Sequence, residues 1–214
     1  MPTPIFTLLV LLFPFACIVM GLIHYQKLFL QSKYIYFLSI FTFACRGGII
    51  LTFGAYNLGY AWIYNLIIAV EFLLIARSYQ VAFEEFIPKQ VLNVLMLLFS
   101  IFCFSCMLFP YSHNTLHTYP KVIESALSLI LSILYFYKIF VEAKVEKLEK
   151  EPMFLISCAV LIYFSVEIFI FIFSNDMIRT NHYLTTSIEV MQGIFFMLFY
   201  GICLVAIWID SRKI

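Results

Sequence analysis

The sequence predicts an all-α membrane protein: a seven-transmembrane-helix bundle forming one domain over residues 1–214. Three observations predict it. The chain is 64% hydrophobic and 12% charged, with mean hydropathy +1.02. Soluble domains carry about 25% charged residues, and a chain this short leaves too much surface outside to hide so much apolar material. Seven apolar stretches approach the roughly 20 residues a helix needs to cross a bilayer. They are too long for strands and show no period-two alternation, which argues against a β-barrel.

The spans are expected at 4–23, 34–53, 60–76, 91–109, 122–141, 153–173 and 187–209. Their connections are short, with no linker, second domain or internal repeat. The opening stretch, MPTPIFTLLVLLFPFAC, imitates a signal peptide but lacks its basic n-region, so it reads as a retained first helix. Pro14 is placed to kink that helix. Pro110, Pro120 and Pro152 mark span boundaries, where a missing N–H costs little. Tyr60, Trp62, Tyr111, Tyr119 and Trp208 fit interfacial belts. The run EAKVEKLEKE at 142–151 is expected to prolong the fifth helix into the cytoplasm, with pairs such as Glu146 and Lys150 at i,i+4.

Basic residues orient the bundle. Ten of the thirteen Lys and Arg fall on one side: Lys27, Lys33, Arg77, Lys89, Lys138, Lys144, Lys147, Lys150, Arg212 and Lys213. Lys121 and Arg179 fall on the other, and Arg46 lies within a span. Positive residues stay cytoplasmic. The expectation is an N-terminus outside and a C-terminus inside.

Several functions find no support. The net charge of +1 shows no basic cluster for nucleic acid. The six cysteines all fall in apolar stretches, so a disulfide framework is not expected, and Cys103-x-x-Cys106 reads as two small buried residues. His113, His117 and His182 share the outer side but lack a tight zinc-ligand pattern, and His24 reads as interfacial. There is no nucleophile elbow, phosphate loop or dinucleotide fingerprint. The seventh span has no lysine for a retinal Schiff base. No catalytic residue, metal ligand or cofactor is assigned.

What stands out is ionisable residues in apolar surroundings. Arg46 sits in FTFACRGGIILTF, where a guanidinium cannot shed its charge and needs a partner or a wet cavity. Glu71, Glu124, Glu167 and Glu189 occupy four other spans. Polar residues line up at helical spacing: Glu124, Ser128, Ser132 and Tyr135 on the fifth helix; Glu189, Gln192 and Tyr200 on the seventh; Tyr163 and Glu167 on the sixth; Tyr64 and Glu71 on the third; Ser39, Thr42 and Arg46 on the second. Such faces turn into the bundle. The candidate ligand-binding set is therefore Arg46, Glu71, Glu124, Glu167, Glu189 and Gln192, in the outer half. Depth and helix adjacency make Arg46–Glu71 the expected ion pair, with Glu167 as competitor. Four acids against one arginine leave an acidic excess. Either some carboxylates hold protons because burial disfavours their charge, or a cation belongs among them. The bland reading is interhelical glue.

Three stretches, AWIYNLIIAVEFLLIARSY, YPKVIESALSLILSILYFYK and EPMFLISCAVLIYFS, resemble a group of small seven-helix membrane proteins of Bacteroidota. Glu71 and Glu124 match the acids of that pattern, and Arg46 has no counterpart in it. The resemblance implies the fold and a bacterial inner (cytoplasmic) membrane, but no activity. The layout is similar to the seven-helix sensor modules that precede bacterial histidine kinases. No kinase follows in this chain, so such signalling requires a separate cytoplasmic partner.

The leading functional expectation is a receptor-like or sensory module in the lipid bilayer, taking a small ligand or cation. The alternatives are a membrane-embedded enzyme acting on lipid, with carboxylates as general acid and base, and a small channel or carrier using the glutamates as a proton or cation relay.

Overall fold

The computed structural model describes residues 4–53, 61–84, 86–108, 118–142, 148–180 and 182–212. Among them are seven long α-helices: α1 (Pro4–Ile23), α2 (Leu30–Phe53), α3 (Ala61–Phe83), α4 (Lys89–Leu108), α5 (Thr118–Glu142), α6 (Pro152–Thr180) and α7 (His182–Ser211). Six of these, α1 and α3 to α7, are long and apolar enough over their described residues to cross a membrane. With 24 residues α2 is long enough, at about 1.5 Å per residue. Its stretch 34–51 carries a single charged residue, Arg46, among mostly apolar neighbours.

Helix ends differ from expectation where polar residues continue a helix beyond its apolar core. α3 runs on to Phe83 because its last turns find partners. Arg77 Nη1 donates to Gln80 Oε1 at 2.5 Å, and Gln80 Nε2 donates to Asn93 Oδ1 at 2.9 Å. Lys138 Nζ then caps α3, donating to the Ala82 carbonyl at 2.7 Å. The next residue after the helix, Glu84, adopts the left-handed conformation with φ 51°. At its other end, α5 begins four residues before the expected span, which brings Lys121 into the helix. The expected extension of α5 past Glu142 falls largely on residues 143–147, outside the described residues. Leu148–Lys150 form a 3-10 turn rather than a continued α-helix.

Six helices close a ring: α1 packs on α2, α2 on α3, α3 on α5, α5 on α6, α6 on α7, and α7 back on α1. α2 also touches α7 and α6 across the ring, while α4 packs outside it on α3. The core is aromatic and apolar, with Phe72, Tyr79, Phe83, Phe164, Phe196 and Tyr200 all buried. Outward faces are apolar too, as on α1 (Ile5, Leu8, Leu12, Phe15) and α4 (Val91, Val94, Leu98, Ile101). An apolar exterior around a partly polar interior inverts the soluble pattern and suits lipid.

The α1–α2 contact depends on the missing side chain of Gly21. A Cβ there would run into the ring of Tyr36, which is buried. Gly21→Val is expected to destabilise the protein by about 1–3 kcal/mol, seen as a lower thermal unfolding midpoint in detergent. At Gly201 a Cβ meets Phe13 at an ordinary 3.5 Å, so Gly201→Ala should leave the midpoint unchanged.

Candidate functional site

Four charged side chains meet inside the bundle. Lys121 Nζ lies 2.8 Å from Glu124 Oε2, 3.1 Å from Glu71 Oε2 and 3.2 Å from Glu167 Oε2. Three helices, α3, α5 and α6, thus each contribute one carboxylate to a single ammonium. Lys121 is 5% exposed, Glu124 0% and Glu167 1%, so solvent does not screen these contacts. The contact with Glu71 has full hydrogen-bond geometry. Lys121 Nζ also lies 5.5 Å from the ring centroid of buried Phe164.

Local sequence explains the convergence. Lys121 and Glu124 are three residues apart, so they share one face of α5. That face is polar along its length: Lys121, Glu124, Ser128, Ser132, Tyr135 and Lys138 are all buried. Ser132 Oγ donates to the Ser157 carbonyl at 2.8 Å, and the Tyr79 hydroxyl to Ser157 Oγ at 3.2 Å, fixing α3, α5 and α6 below the charges.

Glu167 carries the network onward. Its Oε1 accepts from the Tyr163 hydroxyl at 2.5 Å and from Gln192 Nε2 of α7 at 3.0 Å. Tyr163 sits one turn before Glu167 on the same face of α6. α7 is tied in turn to α2, where the Tyr200 hydroxyl donates to Thr42 Oγ1 at 2.9 Å.

The expected Arg46–Glu71 pair is replaced. Glu71 bonds to Lys121, and the Arg46 guanidinium lies 3.8 Å over the ring centroid of Phe196. Glu71, Glu167 and Tyr163 still act on Arg46 electrostatically. The ring offers a cation a negative face without a second charge to desolvate, while a shorter reach gives Glu71 to the lysine. Of the six candidate residues, Glu71, Glu124, Glu167 and Gln192 form one connected group and Arg46 stands beside it. Glu189 is half-buried on α7 and is not one of the three acids around Lys121.

Sequence reasoning counted Lys121 on the outer side, one residue before the fifth span, and left it out of the candidate set. The signal lay in the sequence: K-x-x-E directly after Pro120, opening a helix whose polar face continues inward. Without Lys121, Arg179 is the one basic residue left on that side. Asp210 was also missed. It is buried at the end of α7, where its Oδ2 accepts from the backbone N–H of Phe29 at 2.9 Å, at the start of α2.

Other expectations sort more simply. All six cysteines are free thiols. His113 and His117, and the side chain of His182, lie outside the described residues. Among the described residues no group of His, Cys, Asp and Glu is arranged to hold a metal ion. An open groove of about 390 Å³ runs along α7, lined by Thr186, Ser187, Val190, Met191, Ile194 and Phe195. It contains none of the residues around Lys121. No family model, curated protein or solved structure matches this chain, so the Bacteroidota resemblance rests on the sequence stretches alone.

Breaking a buried pair by removing one partner costs about 3–5 kcal/mol. Lys121→Met should destabilise the detergent-solubilised protein by that order. Lys121→Met/Glu71→Gln should lose less than the two single losses combined. Arg46→Met/Glu71→Gln should show the smaller coupling. Thermal unfolding of the singles and doubles checks this, and stronger coupling to Arg46 would reverse the assignment.

Proposed function

We propose that the chain is a receptor-like, sensory module of a bacterial inner membrane. In this reading all seven helices span the bilayer, with the N-terminus outside and the lysine-rich end in the cytoplasm. α2 packs between α1 and α3, both apolar enough to cross, which supports counting it as a span. The basic bias supports the orientation.

One observation carries the function: three carboxylates from three helices close on one ammonium group. Such a cage suits a small cation or cationic ligand, and Lys121 is its tethered occupant. Glu71, Glu124 and Glu167 outnumber Lys121 and Arg46, so fully ionised groups leave one negative charge over. A cation arriving in this half of the bundle competes with Lys121. Losing its grip loosens α5 from α3 and α6, and α5 and α6 meet at the lysine-rich end, where a cytoplasmic signalling partner would read the change. Gln192, through Glu167, links the same event to α7.

A second reading, a proton or cation relay, is favoured by the buried polar face of α5 from Lys121 to Lys138. A relay moves charge across the bilayer, whereas a sensor changes shape without net flux.

Two measurements test the proposal. With Lys147→Cys, a membrane-impermeant thiol reagent should label inverted vesicles and not sealed cells; the reverse pattern overturns the orientation. Hydrogen exchange at the α5–α6 junction should rise when sodium, potassium or methylammonium chloride, or acid, is added to the reconstituted protein, and Glu71→Gln should blunt the response. Exchange indifferent to all four overturns the sensory reading. Dye-reported proton flux into liposomes in place of that response would favour the relay.

A further inference from the structure

Three carboxylates that each approach one nitrogen within 3.2 Å are also close to one another. In a low-dielectric interior, like charges at that range resist ionising together. We infer that the ligand of the carboxylate cage is the proton, and that Glu124 is the residue that carries it. The inference deepens the cage reading above and rests on it.

The choice of Glu124 follows from what each carboxylate receives. Glu167 accepts from Tyr163 and Gln192 as well as facing Lys121, and donors aimed at a carboxylate favour its charged form. Glu71 accepts a well-formed bond from Lys121, and its side chain is 15% exposed. Glu124 is fully buried; Lys121 Nζ lies 2.8 Å from its Oε2, and its Oε1 has no partner. Of the three, it is the carboxylate with neither a second donor nor any solvent exposure.

A second observation lies outside the acids. Ser128 Oγ is fully buried and has no hydrogen-bond partner. Ser128 is four residues after Glu124 on the same face of α5, so its hydroxyl is the next buried polar group along that face. A neutral Glu124 presents a carbonyl oxygen to Lys121 and an O–H to that side of the helix. An ionised Glu124 presents acceptors only.

The charged and titratable groups around Glu124 come from four helices. Acting on Glu124 itself are Lys121 of α5, Glu71 of α3, Glu167 of α6 and Cys103 of α4; Tyr64 of α3, Tyr163 of α6 and Arg46 of α2 act on the other members of the cage. With one proton on Glu124, two carboxylates face two permanent or near-permanent cations and the group is neutral. Uptake is a simple addition: hydronium gives its proton to a Glu124 oxygen and leaves as water. Release restores one uncompensated negative charge beside Lys121.

Infrared spectroscopy of the reconstituted full-length protein tests this directly. At neutral pH the wild type should show a protonated-carboxyl C=O stretch that shifts in D2O and moves on 13C-glutamate labelling, which separates it from Asp210. The band should survive Glu71→Gln and Glu167→Gln, vanish in Glu124→Gln, and fade from the wild type on alkaline titration. Labelling, with the band retained in Glu71→Gln, Glu167→Gln and Glu189→Gln, assigns the proton even if Glu124→Gln does not fold. Absence of the band at neutral pH, or its loss in Glu71→Gln or Glu167→Gln instead, overturns the inference. A proton found on Glu124 without any exchange response at the α5–α6 junction would leave this inference standing and remove the sensory one.

Discussion

The ammonium of Lys121 is the point on which the interior depends. Any one of the carboxylates around it would be a liability in a bilayer, and so would the lysine alone. Together they are tolerable, because each charge finds opposite charge within 3.2 Å. Desolvation takes back most of the gain, so the cage adds little net stability. What it adds is specificity: α3, α5 and α6 fit in the one rotation that brings the three acids to one place. Glu167 then passes the constraint to α7 through Gln192, and α7 passes it to α2 through Tyr200 and Thr42.

The opposite half is held by other means. There neutral groups cross-link helices, as with Tyr79, Ser132 and Ser157, or aromatic rings pack, as with Tyr79, Phe83 and Tyr135. The other buried lysine, Lys138, is answered mainly by a backbone carbonyl, with Glu84 and Glu142 at a looser 3.9 Å. Interhelical bonds of this neutral kind contribute roughly 0.6 kcal/mol each in membranes. They glue without storing charge, so the half with Lys121 is where a change in protonation or cation content acts on packing.

Much of this was legible in the sequence, for identifiable reasons. Apolar runs fixed the helices because the bilayer allows few alternatives. The stripe Glu124–Ser128–Ser132–Tyr135 was visible because helical periodicity is local, and all four residues are buried. Partner choice was not local. Depth counted along two helices suggested Arg46 for Glu71, but helix rotation and side-chain reach gave Glu71 to Lys121, fifty positions away. Lys121 was hidden by a boundary convention: a proline followed by a lysine reads as the end of a span, yet proline is welcome in a first turn, and α5 begins at Thr118. The bond from Phe29 to Asp210 joins positions 181 apart and has no sequence signature.

The separation of Glu71 from Lys121 has a consequence for how the protein is made. Chains are synthesised from the N-terminus, so α3 is delivered to the membrane before α5 exists. A charged residue at the centre of an inserting helix costs about 3 kcal/mol, and Glu71 bears that burden until its cation arrives. Arg46, on α2, is delivered before Glu71. The order of the helices thus sets one positive charge before the first acid of the cage and a second one after it.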